Sequence, residues 1–258
     1  MKNILHIGGD ALEYLRLPSA HPRPGSPAMV FLHEGLGSIS MWRDFPQRVA
    51  DATGCEALLY SRRGYGQSTP LSAPRAVDYM HDEALKTLPA ILDALEVESP
   101  YLFGHSDGGS ISLIHAGGAG RALSGVIVMA PHVFVEDVAL ENIRIAGDAY
   151  RLGDLRGRLA RHHANVDSAF NGWNDIWLNP DFRGWNIEGY LPDIACPVLA
   201  IQGEDDEYGT MEQLDRIARG ARDVEQVKLA DCRHSPHKDQ PDAVIDAVCE
   251  FVARTRKD

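Results

Sequence analysis

The sequence predicts an α/β fold with a mostly parallel central sheet flanked by helices. Short apolar runs alternate with longer amphipathic stretches, turn residues bound the runs, and the runs are apolar throughout. Such runs are typical of strands that are buried on both faces. Strand–helix alternation of this kind favours parallel strands connected by helices.

The expected strands follow the chain from its N-terminus. Residues 4–7 and 12–17, separated by Gly8-Gly9-Asp10, predict an antiparallel hairpin at one edge of the sheet. Amphipathic spacing predicts helices over 79–95 and 243–252. The runs that predict buried strands are Met29–Leu32, Ala57–Tyr60, Tyr101–Phe103, Gly125–Met129 and Pro197–Ile201.

The strand–helix rhythm stops after the sixth predicted strand and resumes near residue 197. The stretch between contains helical patterns and most of the tryptophans, without a clear strand. We therefore expect residues 132–192 to form a helical cap, inserted after the sixth strand. Residues 1–131 and 193–258 are expected to form the core domain.

Composition limits the classes of partner. The chain has 258 residues and a formal net charge of −12, which disfavours binding to a nucleic-acid backbone. No apolar run is long enough to span a bilayer and the N-terminus lacks the features of a signal peptide, so we expect a cytoplasmic protein without a membrane partner. The four cysteines are scattered and suggest neither a disulfide framework nor a zinc site. We expect no metal and no cofactor, and a homodimer stays open.

The strongest local signal is the segment Gly104–Gly108, which matches the pattern G-x-S-x-G. It follows a predicted strand and opens a helical stretch. A sharp strand-to-helix turn of this type lifts a serine hydroxyl above the sheet edge and needs glycine on either side. The pattern predicts that Ser106 is a nucleophile. In the alternative interpretation the serine only caps the helix.

A serine nucleophile requires a base and an acid that orients the base. In this architecture the acid comes first and the histidine second, each on a loop after a later strand. The loop after residue 201 offers Glu204, Asp205 and Asp206 as the acid. The loop after residue 229 offers His234, with His237 close behind it.

At this point the chain resembles the α/β-hydrolase fold superfamily, in particular capped serine hydrolases such as carboxylesterases and the carbon–carbon hydrolases of meta-cleavage products. The resemblance covers nearly the whole chain. It rests on residues 32–37, 61–68, 104–109, 203–206 and 234–241.

The resemblance selects residues within each motif. The Gly-x-x-Asp spacing of the family selects Asp206, with Asp205 as runner-up. The family pattern places the histidine five residues ahead of an acid, here Asp239, and so selects His234. His237 is then expected to be an exposed residue or a contact at the rim of the site.

The resemblance also implies an oxyanion hole built from backbone N–H groups. One donor is Asp107, after the nucleophile, and the second is Gly35 or Leu36. His33 is expected to support this loop. Glu34 stands where the family usually has glycine, so it is either a polar contact near the site or a surface carboxylate.

Trp173 and Trp177, one helical turn apart, are the candidates for lining the substrate pocket. The predicted activity is hydrolysis of a small to medium carboxylic ester through an acyl-enzyme on Ser106. The alternatives are cleavage of a carbon–carbon bond in a β-ketone substrate, lactone opening and perhydrolysis. A more distant alternative is a non-catalytic ligand-binding member of the fold.

Overall fold

The computed structural model describes residues 3–256, and within them eight strands form one sheet. The order across the sheet is β1-β2-β4-β3-β5-β6-β7-β8; β1 and β2 form an antiparallel hairpin, β2 pairs antiparallel with β4, and β3 to β8 run parallel. The predicted sheet and edge hairpin are therefore confirmed. The strands are β1 (Asn3–Ile7), β2 (Asp10–Leu17), β3 (Met29–Leu32), β4 (Ala57–Tyr60), β5 (Tyr101–His105), β6 (Gly125–Met129), β7 (Val198–Gly203) and β8 (Val224–Leu229).

Helices cover both faces of the sheet. In the described part of the chain they are α1 (Phe45–Thr53), α2 (Tyr79–Asp82), α3 (Leu88–Ala94), α4 (Asp107–Gly118), α5 (Asp137–Leu152), α6 (Leu155–Leu159), α7 (Val166–Trp177), α8 (Glu212–Gly220), α9 (Pro236–Asp239) and α10 (Pro241–Thr255). A π-helical turn, Glu83–Thr87, joins α2 to α3, so the helix expected over 79–95 is one helical run with a wider turn inside it. None of the helices among residues 3–256 has the length and apolar character needed to cross a bilayer.

The strand side chains alternate between two hydrophobic cores. Val30 and Leu32 of β3 pack on the side of α4, whereas Met29 and Phe31 pack on the side of α1 and α10. All four are at most 1% exposed. Burial of each stabilises the fold by roughly 1.5–3 kcal/mol. Because both faces are covered, the strand sequences are continuously apolar.

The segment between β6 and β7, residues 130–197, is entirely helical or irregular apart from an isolated bridge between Phe134 and Asn186. It contains α5, α6 and α7. Its buried aromatic residues belong to the same core as α4, so it packs on that face of the fold. The segment enters at the carboxyl end of β6. The loops after β3, β5, β7 and β8 lie at the same edge, because these strands are parallel.

Candidate active site

Ser106 occupies the sharp turn between β5 and α4. Its backbone has φ 53° and ψ −118°, a left-handed conformation that is strained for a residue with a side chain. The turn is tight: a Cβ on Gly104 would lie 2.2 Å from the carbonyl oxygen of Gly108, and one on Gly108 would lie 2.0 Å from that of Leu32. The flanking glycines are therefore required by the close approach of backbone, as the motif predicts.

The structure brings the predicted nucleophile, base and acid into one hydrogen-bonded chain. Nε2 of His234 lies 3.0 Å from Oγ of Ser106, and Nδ1 of His234 lies 2.7 Å from Oδ1 of Asp206. Oδ1 of Asp206 also accepts a hydrogen bond from the N–H of Tyr208 at 2.8 Å. Asp205, by contrast, is exposed. The geometry thus selects Asp206 over Asp205.

Asp206 and His234 each stabilise the charged form of the other. Burial opposes ionisation of Asp206, but the contact with His234 outweighs it and lowers the pKa of the carboxyl. Burial likewise disfavours the charged form of His234, but Asp206 outweighs burial and raises the pKa of the imidazole. Asp206 is therefore ionised at neutral pH, and it fixes the proton of neutral His234 on Nδ1. Nε2 is then free to accept the proton of the Ser106 hydroxyl.

These shifts predict the pH dependence of the activity. A base must be unprotonated to act, so kcat/KM should fall as the pH drops through the raised pKa of His234. The apparent pKa of this acid limb should lie above about 6.5, the ordinary value for histidine. A pH–rate profile with a non-ionisable substrate measures it. An acid limb centred below 6.5 would contradict the assignment of His234 as a base paired with Asp206.

The predicted oxyanion loop is a β-turn between Glu34 and Gly37. The N–H of Gly37 donates to the carbonyl of Glu34 at 3.0 Å, which leaves Gly35 and Leu36 as the central residues. Their N–H groups make no hydrogen bond to any described residue. Asp107 is the first residue of α4, and its N–H is likewise one of the unpaired donors at a helix start. Gly35 and Leu36 line the same cavity as Ser106.

Glu34 is a half-buried polar contact near the site rather than a surface carboxylate. Its side chain is 15% exposed, with Oε2 3.5 Å from Nδ1 of His105 and Oε1 3.8 Å from Nζ of Lys238. Burial opposes its ionisation, but His105 and Lys238 outweigh burial and hold the pKa of Glu34 well below its usual range. Nε2 of His105 in turn lies 2.7 Å from the carbonyl oxygen of His234. Glu34 contacts His105, and His105 in turn contacts the backbone of His234, the proposed base.

A cavity of about 150 Å³ opens above Ser106. Both predicted pocket residues, Trp173 and Trp177, line it. Trp173 lies against the oxyanion turn, because a Cβ on Gly35 would come within 2.2 Å of its indole. Two larger grooves of about 480 and 430 Å³ border residues 71–76, and Ser106 lines neither of them.

The sequence did not predict His132, Ala139, Ile143 or Tyr208 as residues of the cavity wall, and two of these are polar. His132 lies three residues after the end of β6 and is 3% exposed; burial lowers the pKa of its imidazole to about 4, so it is neutral at pH 7. The ring of Tyr208 lies 4.8 Å from that of His234. Both stand just beyond the carboxyl end of a parallel strand, as Asp206 and His234 do. This position after a strand was the feature of the sequence that could have identified them as site residues.

His237 was expected at the surface or at the rim, and this expectation is wrong. It is 5% exposed and packs against Trp42, Phe45 and His105 with ring centroids 4.9–5.5 Å apart. Burial lowers its pKa well below the usual value, so it is neutral. The short helix α9 turns the side chain inward, because its second residue faces the aromatic core beneath β5.

This arrangement of strained serine, histidine and carboxylate at the edge of a parallel sheet agrees with the sequence comparison. A profile of the Alpha/beta hydrolase family matches residues 29–247. The chain belongs to this family. The match spans β3 to α10 and includes every predicted site residue.

Relatives and solved structures place the chain among hydrolases. It is 24% identical to a protein from Paraburkholderia xenovorans (strain LB400) called 2-hydroxy-6-oxononadienedioate/2-hydroxy-6-oxononatrienedioate hydrolase, over 89% of this chain and 88% of the relative. A carboxylesterase structure from Nitrososphaera gargenis aligns with a TM-score of 0.78 at 18% identity, covering 98% of each chain. The enol-lactonase from Burkholderia xenovorans LB400 aligns with a TM-score of 0.75 at 17% identity, covering 97% of this chain and 100% of the lactonase. At these identities the structural likeness establishes the fold of this α/β hydrolase.

Proposed function

We propose that this α/β hydrolase cleaves a small to medium carboxylic ester through an acyl-enzyme on Ser106. The observation that carries the proposal is the hydrogen-bonded triad of Ser106, His234 and Asp206, with distances of 3.0 and 2.7 Å, at the wall of a cavity of about 150 Å³. Nucleophile, base and orienting acid within hydrogen-bond reach are the arrangement that activates a serine.

The chemistry follows from the tautomer of His234. Ser106 Oγ attacks the ester carbonyl carbon while its proton moves to Nε2 of His234, and Asp206 stabilises the resulting imidazolium. The tetrahedral intermediate collapses, and the alcohol leaves with the proton from Nε2. Water then attacks the acyl-enzyme with His234 again acting as base, which releases the acid and restores the serine.

The negative charge of the tetrahedral intermediate is stabilised by backbone. The proposed donors are the N–H of Asp107 and the N–H of Gly35 or Leu36, all at the wall of the cavity or beside Ser106. The start of α4 adds the positive end of the helix dipole at the same place. Groups of this kind are fixed before the reaction begins, so they stabilise the charge without reorganisation.

The cavity favours a neutral ester over a dicarboxylate. Its volume of about 150 Å³ suits a short acyl or alcohol chain, and its wall contains Glu34 but neither lysine nor arginine among the described residues. Ionised carboxylates are normally held by such cations. A doubly charged substrate would therefore find no lysine or arginine partner among the described residues that line the cavity.

Carbon–carbon bond hydrolysis is the second candidate, favoured by the name of the Paraburkholderia relative, a hydrolase of a dienedioate. Lactone opening uses the same groups, and the enol-lactonase shares the fold. The residues around Ser106 serve all three reactions, because each proceeds through attack on a carbonyl. We favour ester cleavage because no lysine or arginine lines the cavity among the described residues.

Two measurements test the proposed function. A fluorophosphonate probe should label Ser106 in the native protein, whereas a non-catalytic binding protein would stay unlabelled. Kinetics with p-nitrophenyl esters of increasing acyl length, beside a dienone and a lactone substrate, rank the reactions. Higher kcat/KM for the dienone than for every ester would overturn ester cleavage in favour of carbon–carbon hydrolysis.

We further propose that residues 132–192 form a cap that sets substrate size, and the two tryptophans of α7 test this. Trp173→Ala should shift the preferred acyl length upward and raise KM more than it lowers kcat, because the indole lines the cavity that would hold the acyl chain. Trp177 is 2% exposed and packs against Phe182 and Trp185. Trp177→Ala should therefore lower stability by roughly 3–5 kcal/mol.

Thermal unfolding and the acyl-length profile are measured on the same samples. Trp185→Ala is the matched control: Trp185 is buried in the same cluster but does not line the cavity, so it should lose stability and keep the wild-type profile. An unchanged acyl-length profile in Trp173→Ala would contradict the proposal that the cap sets substrate size.

A further inference from the structure

Arg62 lies beneath the oxyanion turn and has no role in the steps described above. It follows β4 in the loop of residues 61–68, and its side chain is 1% exposed. A buried guanidinium costs free energy through lost hydration unless its contacts repay that cost. Its contacts therefore indicate what it does.

The guanidinium holds one peptide group of the oxyanion turn. Nη2 of Arg62 donates to the carbonyl oxygens of Glu34 at 2.9 Å and His33 at 3.2 Å. Nδ1 of His33 lies 2.7 Å from the same Glu34 oxygen. The backbone N–H of Arg62 donates to Nε2 of His33 at 3.0 Å, which fixes the proton of that ring on Nδ1. Burial also keeps His33 neutral by lowering its pKa well below the usual value.

Holding the carbonyl of Glu34 also fixes the direction of the N–H of Gly35. The carbonyl of Glu34 and the N–H of Gly35 belong to one planar trans peptide, so they point in opposite directions. Because Arg62 and His33 hold the carbonyl toward the interior, the N–H of Gly35 is directed away from them. Gly35 lines the cavity above Ser106, on that other side.

The same nitrogen also faces the side chain of Asp107, whose backbone N–H is the other proposed oxyanion donor. Nη2 of Arg62 is 3.7 Å from Oδ2 of Asp107, whose side chain is equally buried. The carboxylate of Asp107 accepts hydrogen bonds from the hydroxyl of Tyr79 at 2.8 Å and from Nε1 of Trp177 at 3.3 Å. The first residue of α4 is therefore tied to Arg62 and to α7.

We infer that Arg62, acting with His33, is a positioning residue that sets the two backbone donors of the oxyanion hole relative to each other. The inference rests on the proposed function. A role in stability alone fits the contacts less well, because Nε and Nη1 of Arg62 make no hydrogen bond to a described residue and the guanidinium otherwise lies over the ring of Tyr65 at 5.0 Å. The hydrogen bonds of the guanidinium all come from the one nitrogen that faces Glu34 and Asp107.

The test compares Arg62→Lys and Arg62→Gln with the wild-type enzyme. We expect kcat per active site to fall about tenfold to a hundredfold, less than the loss of a whole oxyanion donor, while KM changes less than about twofold. An alkylboronic acid, which forms a tetrahedral adduct with the serine, should lose affinity in proportion to kcat/KM. Active sites are counted by fluorophosphonate titration, so unfolded protein does not contribute.

Arg63→Lys is the matched control, because Arg63 is its neighbour in sequence, is 40% exposed and pairs with Asp10 instead. It should behave as wild type. If the Arg62 variants do not fold, His33→Asn and His33→Leu replace them. Asparagine keeps a donor near the position of Nδ1, so it should retain more kcat than leucine.

The outcomes separate two failures. A wild-type protein that hydrolyses no ester and resists labelling would overturn the proposed function and this inference with it. An active wild type, together with Arg62 variants whose kcat and boronate affinity stay within twofold of it, would overturn the inference alone. Loss of thermal stability without loss of kcat would show that Arg62 serves packing only.

Discussion

Ser106→Ala should abolish ester hydrolysis and fluorophosphonate labelling while the protein stays folded. Alanine keeps the Cβ, so the strained backbone of the turn is unchanged, and the substitution removes only the hydroxyl that contacts His234 at 3.0 Å. Loss of a serine nucleophile from such a triad lowers kcat by on the order of a millionfold. Steady-state kinetics, labelling and thermal unfolding on one preparation measure the three parts of the prediction.

Ser112→Ala provides the matched control. Ser112 is buried on the same helix, and its hydroxyl donates to the carbonyl of Gly108 at 2.7 Å. This variant should keep its activity and its labelling. If Ser106→Ala retained more than about a thousandth of the wild-type activity, another group would have to be the nucleophile.

The strands and Ser106 could be predicted because they depend on local sequence. The order of the later loops predicted where the acid and the base lie, and the family resemblance then selected Asp206 and His234 within those loops. Strands buried on both faces must be apolar throughout, and the turn at Ser106 must have glycine at position 104, where a Cβ would lie only 2.2 Å from a backbone oxygen. The loops that carry Asp206 and His234 follow β7 and β8. A parallel sheet brings such loops to one edge, so their order along the chain was informative.

The residues that support the reactive side chains from behind could not be predicted, because their burial depends on tertiary contacts. Arg62 and Glu34 are polar residues in loops, and nothing in the local sequence distinguishes a buried partner from a solvated one. Glu34 is half-buried, and its carboxylate lies against a ring nitrogen of His105, next to the nucleophile. His237 was expected at the surface or at the rim of the site for the same reason, since its aromatic neighbours come from other parts of the chain.

Asp206→Ala should have the second-largest effect, on the order of ten-thousandfold in kcat. The substitution removes the charge that stabilises protonated His234 and leaves both Nδ1 of His234 and the N–H of Tyr208 without their acceptor. Asp205→Ala is the control, since Asp205 is exposed and lies one residue away. It should change kcat less than about threefold. A reversal of this ranking would show that Asp205 is the acid.

Asp206→Asn separates the two contributions of the carboxylate. Both hydrogen bonds to Asp206 end on Oδ1, and Oδ2 has no partner among the described residues. An asparagine oxygen placed at Oδ1 keeps both bonds, because the N–H of Tyr208 disfavours an amide nitrogen there. His234 then keeps its proton on Nδ1, and only the negative charge is lost. We therefore expect a smaller loss of kcat for Asp206→Asn than for Asp206→Ala, and an acid limb of the pH–rate profile shifted to lower pH. Equal losses in the two variants would show that the carboxylate charge, rather than the tautomer of His234, accounts for the whole effect.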